Sequence, residues 1–378
     1  MKVLHLTLGL GNGGAEGALY RLIKFDKSNE HIVISIMGDG HYGKRLRDIG
    51  VDIYSYDVRR GCIPLSIPFK IYRDIRSVKP DVLQTWLYHA DILGGVVGRL
   101  AGVRNVFWGI RHSNLSPDLN SRTTLVMSKV SALLSRLVPK RIISCSRKAT
   151  DVHIATGYEE SKFVTIPNGY DFESLTYSYD KRRDYRGKLL LNDNFVFGMV
   201  ARWNPQKNHK NLIEAVAYYI DNYNTKIKVV LVGPDIDSEN KELLSLINKY
   251  NVGSNIILLG PTNDIPGVMS MLDVLVLPSS GEAFPNVVAE AMACSTPVVA
   301  TNVGDAAFIV GDTGWIVPPN DSKSLAEAMH SSYMASGDNF YWNLTKESCR
   351  DRVVNNFSIE SMVNNFNDAW ESESKERS

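Results

Sequence analysis

Two carboxylates that stand eight positions apart, Glu282 and Glu290, lie on either side of a proline that can open a helix. The apolar run Val274–Leu277 precedes them and predicts a buried strand. A strand followed by a turn and a helix N-terminus can hold a phosphate, because the first backbone N–H groups of a helix have no partner within it. Pro285 suits the first helical position, where its missing N–H is not needed. We therefore expect a phosphate here, with a sugar on one side and a ribose on the other.

Two cations follow another strand-like run, at residues 195–200. Arg202 and Lys207 are five positions apart across a proline turn, so both side chains can reach the same strand end. Fixed cations there would stabilise the negative charge that develops on a departing diphosphate. The alternative is a solvated loop that happens to contain two basic residues.

A glycine-rich turn follows the first predicted strand. Gly9, Gly11 and Gly14 match the dinucleotide-binding pattern G-x-G-x-x-G. The acidic residue that this pattern expects about twenty positions later is missing, because Ser35 and Ile36 occupy that zone. We favour a turn that approaches a phosphate, and an NAD site or a purely structural tight turn remain the alternatives.

The elements that must position these residues alternate between apolar runs and helix-length segments. Several of the runs are continuous Val, Ile and Leu, which is typical of parallel strands buried on both faces. The pattern predicts doubly wound parallel sheets, and it restarts after a polar stretch at 171–194, where we place a domain boundary. The predicted strands are 3–7, 31–37, 52–56, 82–85, 106–110, 142–145, 164–167, 195–200, 228–232, 256–259, 274–277, 297–300 and 314–317.

Composition is that of a globular protein: 378 residues, 44% hydrophobic and 22% charged, with a net charge of +1. Residues 1–168 hold 24 Lys and Arg against 14 Asp and Glu, so the excess of positive charge lies in the first half. The four cysteines have no metal-like or redox-like spacing, and we expect reduced thiols. No apolar run reaches the roughly 18 residues that a transmembrane helix needs.

A basic segment in the first half has no acidic residue from position 119 to 150. Leucines and valines alternate with its cations at near-helical spacing, which predicts a basic amphipathic helix suited to an anionic membrane surface. The alternative is an ordinary packed helix with a solvated basic face. We expect no nucleic-acid partner, since no aromatic residues accompany the basic run. The predicted membrane-surface cations are Arg122, Lys129, Arg136, Lys140 and Arg141.

The order of these motifs resembles that of the family 4 retaining glycosyltransferases, which have the GT-B fold. Their C-terminal signature is a glutamate, seven residues and a second glutamate, preceded by an Arg and Lys pair and by the segments 231–234 (LVGP) and 258–260 (LLG). Residues 13–16 (GGAE) and 166–169 (IPNG) are similar to the glycine loop and the interdomain strand end of that family. Residues 108–114 (WGIRHSN) resemble members that build bacterial surface polysaccharides such as O-antigen and capsule.

The resemblance implies two Rossmann-like doubly wound domains that face each other across a cleft. Residues 1–170 would be the acceptor and membrane side, residues 171–355 would bind the nucleotide sugar, and 356–378 would hold a helix that crosses back to the first domain and a frayed tail. His112 follows the run at 106–110, so it should project from a strand end; we expect it to position the sugars, with a buried, hydrogen-bonded histidine as the alternative.

The site residues implied by the resemblance fall into three groups. Lys207 and Arg202 would hold the diphosphate, Glu282 would contact the donor sugar, and Glu290 would contact the ribose. His89, Arg111 and Asn114 would lie on the acceptor side, where Arg111 and Asn114 could hold a phosphate. The catalytic set is thus Arg202, Lys207, Glu282 and His112, and the donor-binding set is Gly13, Gly14, Leu259, Gly260, Phe284, Pro285, Asn286, Val287 and Glu290.

The function implied is transfer of a hexose or N-acetylhexosamine from a UDP-sugar, with retention, to a sugar on a polyprenyl diphosphate. We expect a peripheral protein on the inner face of the bacterial cytoplasmic membrane. Asp235 and Asp237 resemble the metal-binding D-x-D pair of the other major glycosyltransferase fold, but we expect no metal and no cofactor. An NAD-dependent oxidoreductase or a nucleotide-sugar epimerase are the alternatives.

Overall fold

The computed structural model describes residues 1–59, 61, 64–113, 115, 121–223 and 226–371. These residues form two compact units. The first unit comprises Met1–Gly169 and the described chain from Ile359 onward, and the second comprises Tyr170–Ser358.

The first unit is built on a parallel sheet with helices between its strands. The strands are β1 (Lys2–Thr7), β2 (Glu30–Ser35), β3 (Asp52–Ser55), β4 (Val82–Trp86), β5 (Val106–Ile110), β6 (Arg141–Ser144) and β7 (Phe163–Thr165). The helices are α1 (Gly14–Phe25), α2 (Gly40–Arg47), α3 (Ser66–Val78), α4 (Tyr88–Leu100), α5 (Arg122–Ser135) and α6 (Arg147–Ala155). The strand order is β3-β2-β1-β4-β5-β6-β7, and each described pair is parallel.

The second unit repeats this plan. Its helices are α7 (Tyr179–Lys188), α8 (His209–Asn222), α9 (Lys241–Lys249), α10 (Ile265–Met271), α11 (Asn286–Ala293), α12 (Ala306–Val310), α13 (Ser322–Ala335) and α14 (Asn339–Asn356). Its strands are β8 (Phe195–Val200), β9 (Ile227–Val232), β10 (Ile256–Gly260), β11 (Val274–Leu277), β12 (Val298–Thr301) and β13 (Trp315–Val317). They are parallel in the order β10-β9-β8-β11-β12-β13.

The strand predictions are confirmed. Each predicted strand is present, and its ends differ from the prediction by no more than two residues. The reason is burial: β4, β5 and β11 are buried along their whole length, so continuous apolar runs were required there.

Each sheet has one point where the strand order reverses. In the first unit β1 and β4 are neighbours, and in the second unit β8 and β11 are neighbours, although neither pair is consecutive in sequence. Loops that leave such neighbours run in opposite directions and open a crevice at the carboxyl ends of the strands, where ligands of open α/β sheets bind. The loops after β8 and β11 hold the predicted Arg202–Lys207 and Glu282 motifs.

The polar stretch at 171–194, which lacked an apolar pattern, contains helix α7 docked on the second unit. Arg182 and Arg186 each bind one oxygen of Asp273, at 2.6 and 2.5 Å. Arg182 also donates to the backbone carbonyls of residues 270–272 at the end of α10. Buried ion pairs and carbonyl contacts replace the apolar stripe that ordinarily fixes a helix.

Helix α5 covers only part of the basic segment. It buries a face of small residues, and Leu133 on the opposite face is 77% exposed. The buried residues are Ser128, Ser131, Ala132 and Ser135. Arg122 and Lys129 are exposed on α5, and Arg136 is exposed at its end. Lys140 lies in the following loop and Arg141 is the first residue of β6; both are half-buried, and neither lies on the helix.

The last described helix, α15 (Ile359–Glu371), packs into the first unit. Met362, Phe366 and Trp370 join the core beneath β1 and β4, and Trp370 Nε1 donates to Gln84 Oε1 at 3.2 Å. Within the described chain, no helix is long and apolar enough to span a membrane. Cys145, Cys294 and Cys349 are buried and unbonded to other cysteines, whereas Cys62 lies outside the described residues.

Candidate functional site

An ion pair joins the two loops that leave the reversal point of the second sheet. Lys207 Nζ lies 2.6 Å from Glu282 Oε1. The same oxygen accepts a hydrogen bond from the hydroxyl of Ser279, at 2.8 Å. Glu282 and Ser279 are buried, and the side chain of Lys207 is 26% exposed. Two donors on one oxygen fix the direction of the carboxylate, and burial makes each bond stronger than it would be in water.

The backbone of the same two loops is cross-linked by amides. Gln206 Nε2 donates to the carbonyl of Gly281 at 2.6 Å, and the N–H of Ser280 donates to the carbonyl of Gln206 at 2.9 Å. Asn208 Nδ2 donates to Ser280 Oγ and also to Asn320, which follows β13. Three strand ends are thereby held in one arrangement, which preorganises the charged pair between them.

A tight turn after β12 supports the Glu282 loop from the other side. Gly304 has a φ of +53°, and a Cβ at this position would strike the backbone oxygens of Glu282 and Ala283. The next residue, Asp305, donates its N–H to the carbonyl of Ala283 at 2.9 Å. Only glycine allows this approach, because it has no Cβ and accepts a positive φ.

The N-terminus of α11 begins one residue later than predicted. Pro285 is the N-cap rather than the first helical residue, and it provides no side-chain cap. The helix therefore starts at Asn286, whose side-chain oxygen accepts the hydroxyl of Tyr170 at 2.5 Å. Phe284 is buried with its ring edge-on to Phe357 at 5.4 Å, which fixes the backbone ahead of the helix. An uncapped helix start carries a partial positive charge suited to phosphate.

The other predicted donor-side residues lie on α11, in the loop after β8 and at the end of β10. Glu290 is half-buried as the fifth residue of α11, and Val287 is its second. Arg202 is exposed in the loop after β8. Leu259 and Gly260 end β10, and the carbonyl of Gly260 accepts the N–H of Gly233 at 2.9 Å.

A neutral histidine lies under the loop after β8. His209, the first residue of α8, is buried and packs against Trp203 with ring centroids 5.0 Å apart. Burial, reinforced by the charge of Lys207, lowers the pKa of His209 to about 4. Near neutral pH it therefore adds no second positive charge next to the Lys207–Glu282 pair.

Predicted residues of the first unit lie at the carboxyl ends of three neighbouring strands. Gly13 is the N-cap of α1 and Gly14 its first residue, after β1. His89 is half-buried after β4, and His112 is half-buried after β5 with its ring edge-on to Tyr88 at 6.4 Å. Because parallel strands end at the same edge of a sheet, these residues share one edge of the first unit.

Arg111 takes part in the packing of the first unit. Its guanidinium lies 4.7 Å from the ring centre of Trp86 and donates to Asn168 Oδ1 at 2.5 Å. It thus fixes the chain just before the end of the first unit, and its suggested role on an acceptor phosphate stays a prediction. Asn114 lies outside the described residues.

Sequence reasoning missed four residues that organise the centre: Ser279, Gln206, Asn320 and Gly304. Ser279 stands three positions before Glu282 at the end of a buried strand, which is a signal that could have found it. The partners of Gln206 and Asn320 lie 75 and 40 positions away, so no local pattern marks them.

Two family models match the chain, and together they cover most of it. Residues 12–174 match the model described as Glycosyltransferase Family 4, and residues 181–335 match the model described as Glycosyl transferases group 1. The chain is a family 4 glycosyltransferase. It is therefore an enzyme that transfers sugars, and the alternative of an NAD-dependent oxidoreductase is not supported.

Two curated relatives of this glycosyltransferase are themselves glycosyltransferases. It is 28% identical over 305 residues to the UDP-Gal:alpha-D-GlcNAc-diphosphoundecaprenol alpha-1,3-galactosyltransferase of Escherichia coli, covering 79% of this chain and 77% of that protein. It is 23% identical to the capsular polysaccharide biosynthesis glycosyltransferase CapH of Staphylococcus aureus, covering 80% of this chain and 82% of the relative.

Solved structures identify the fold of this glycosyltransferase. The Anabaena protein Alr3699/HepE, in a complex with UDP and glucose, superimposes with a TM-score of 0.86 at 23% identity, covering 98% of this chain and all of that one. A glycosyltransferase from Rickettsia africae gives a TM-score of 0.82 at 19% identity, covering 99% of both chains. The predicted GT-B fold is confirmed.

Proposed function

We propose that this glycosyltransferase moves a hexose or N-acetylhexosamine from a UDP-sugar to a sugar carried on a polyprenyl diphosphate, with retention at the anomeric carbon and without a metal ion. The product would be an intermediate of O-antigen or capsule assembly. The observation that carries this proposal is the Lys207–Glu282 ion pair next to the uncapped start of α11. A cation, a helix N-terminus and a buried carboxylate together match the chemistry of a sugar diphosphate.

In this proposal Lys207, with Arg202, binds the diphosphate oxygens. The backbone N–H groups of Phe284, Asn286 and Val287 approach these oxygens, whereas Pro285 has no N–H to offer. Gly13 and Gly14 stay proposed phosphate-binding residues of the first unit. Glu282 accepts hydrogen bonds from hydroxyls of the donor sugar, each contributing roughly 1.5–3 kcal/mol because the acceptor is charged. Glu290 binds the ribose hydroxyls, and Leu259 with Gly260 lies on the side of the nucleotide.

The reaction exchanges one carbon–oxygen bond for another. The acceptor hydroxyl oxygen bonds to the anomeric carbon as the bond to the diphosphate oxygen breaks, and the hydroxyl proton passes to that departing oxygen. Approach from the face of the leaving group gives retention. His112 orients the sugars, while Lys207 and Arg202 stabilise the charge on the leaving group. His89, Arg111 and Asn114 remain the proposed acceptor side.

The names of two relatives support this choice of donor and acceptor. The name of the Escherichia coli protein gives UDP-Gal as its donor and GlcNAc-diphosphoundecaprenol as its acceptor. A Campylobacter jejuni relative, 22% identical over 91% of this chain and 93% of its own length, is an N-acetylgalactosaminyltransferase of a diphospho-undecaprenol sugar.

We also propose that the first unit binds the anionic inner face of the cytoplasmic membrane through a surface on α3 and α5, here called the basic apolar surface. These helices flank α4. The surface exposes large apolar side chains among cations, a combination that suits anionic lipid. Its apolar members are Leu65, Phe69, Val126, Leu133 and Leu137, and its cations are Lys70, Arg73, Arg122, Lys129 and Arg136.

The deciding experiment offers the purified enzyme a panel of UDP- and GDP-sugars with a polyprenyl-diphosphate-linked sugar, with and without EDTA, and reads products by mass spectrometry. We expect transfer from a UDP-sugar, unchanged by EDTA. The product should keep the axial anomeric linkage of the donor, which gives a small H1–H2 coupling constant in its proton NMR spectrum. The Glu282→Gln variant is the inactive control. Transfer from GDP-sugars alone would overturn the UDP-linked donor, and an inverted product would overturn retention. Activity that is lost with EDTA and restored by Mg²⁺ would overturn transfer without a metal ion.

A further inference from the structure

A hollow of about 230 Å³ lies in the second unit, away from the ion pair. One wall is the chain that leads into β13, with Asp312 and Trp315, and the other is the first half of α14, with Tyr341 and Leu344. Thr345 and Ser348 of α14 add hydroxyl groups.

The topology separates this hollow from the candidate active site. Asp312 precedes β13, so it lies at the amino end of a strand, whereas Lys207 and Glu282 follow the carboxyl ends of β8 and β11. In a parallel sheet the amino ends of all strands lie along one side and the carboxyl ends lie along the opposite side. β13 is also the last strand in the order, three positions from β8.

The lining combines two kinds of chemistry. Tyr341 is 53% exposed and Leu344 49% exposed, and Trp315 is half-buried, so aromatic and apolar surface is available to a ligand. The carboxylate of Asp312 and the hydroxyls of Thr345 and Ser348 can exchange hydrogen bonds with a ligand's rim. The lining that the structure describes includes no lysine, arginine or histidine, and a carboxylate repels anions, so phosphates and nucleotides do not suit it.

We propose that this hollow is a second saccharide site, which binds one neutral pyranose ring of a glycan. A pyranose has an apolar face of C–H groups and a rim of hydroxyls, and the lining offers both aromatic or apolar side chains and polar oxygens to meet them. The volume is below the roughly 300 Å³ at which sites for larger ligands begin, so it accommodates a single ring rather than a whole nucleotide sugar. The inference goes beyond sugar transfer, because it assigns glycan binding to a part of the second unit with no role in the reaction.

The test uses the full chain with saturating UDP, so that the nucleotide site is filled. The probes are methyl α-D-glucopyranoside, methyl α-D-galactopyranoside and their 2-acetamido-2-deoxy counterparts, followed by saturation-transfer NMR and titrated by tryptophan fluorescence. We expect at least one probe to bind, and Tyr341→Ala to weaken that binding about tenfold through loss of the ring contact. Asp312→Asn keeps the shape of the side chain but removes its negative charge, and it should weaken binding of the probe as well.

Phe340→Ala is the matched control, because Phe340 is 81% exposed beside Tyr341 and does not line the hollow. Binding should be unchanged in this variant. The proposal is overturned if none of the probes binds, or if Glu282→Gln abolishes binding while Tyr341→Ala preserves it, which would assign the sugar to the active site. It is also overturned if Tyr341→Ala removes self-association of the chain and sugar binding is absent, which would indicate a protein contact.

Discussion

Lys207 and Glu282, 75 positions apart in sequence, form an ion pair of 2.6 Å across the reversal point of the second sheet. In the proposed reaction the cation serves the diphosphate and the carboxylate serves the sugar. The two groups therefore hold each other in place before the donor arrives, so little reorganisation is needed when it binds.

Removing the cations should remove stabilisation of the leaving group. We expect Lys207→Ala and Arg202→Ala each to lower kcat by about 10²–10³, as for loss of one charge-stabilising donor. The measurement is steady-state transfer with the preferred UDP-sugar. Lys210→Ala is the matched control, since Lys210 lies 3.7 Å from Glu214 on the exposed side of α8. Full activity in both cation variants would refute the diphosphate role.

The hydroxyl of Ser279 should matter because it directs the carboxylate of Glu282. We expect Ser279→Ala to lower kcat about tenfold or more, the value of one hydrogen bond to a charged group, with a smaller change in KM. Ser279→Thr keeps the hydroxyl and should recover most of the activity. If Ser279→Ala and Ser279→Thr lose equal activity, the effect is one of packing at a buried site.

The basic apolar surface should bind anionic vesicles. We expect the double variant Leu133→Ser, Leu137→Ser to reduce binding to phosphatidylglycerol vesicles in a flotation assay, because Leu133 on α5 and Leu137 in the turn after it are both largely exposed. The triple variant Arg122→Gln, Lys129→Gln, Arg136→Gln should remove the dependence on anionic lipid.

Leu190→Ser is the control for the leucine variants, because Leu190 is 85% exposed in the second unit. Equal vesicle binding by the wild type and both surface variants would assign α5 to ordinary packing.

Acidification should destabilise the first unit through His153. Its Nε2 pairs with the hydroxyl of Tyr88 at 2.5 Å and its Nδ1 with the carbonyl of Ala149 at 2.6 Å. Burial lowers the pKa of His153 to about 4 from 6.5. Below about pH 6.5 this imidazole is protonated in the unfolded chain, whereas in the folded chain it stays neutral until about pH 4. Protons therefore favour the unfolded state in this range, and the free energy of unfolding falls as the pH falls from about 6.5 to about 4.

The expected loss over that window is about 3 kcal/mol, measured by urea denaturation between pH 7.5 and pH 4.5. His153→Gln should reduce the loss of stability on acidification, whereas His41→Gln, a change at an exposed histidine of α2, should leave it unchanged. An identical slope in wild type and His153→Gln would contradict the prediction.

Local sequence patterns determined where most strands and the start of helix α11 lie in this protein. Buried parallel strands need continuous apolar runs, so the runs at 106–110, 195–200 and 274–277 gave strand bounds that match the structure. The Glu282–Glu290 spacing around Pro285 predicted a helix N-terminus to within one residue, because proline restricts the start of a helix.

Tertiary structure alone decided which distant groups meet and which face of a helix is buried. Lys207 reaches Glu282 because β8 and β11 are neighbours in the sheet, and that pairing depends on the whole strand order. Helix α5 buries the small residues Ser128, Ser131 and Ala132 and exposes Leu133, and only the surface that it packs on can impose this choice. Periodicity is a local property, whereas burial depends on what lies opposite in space.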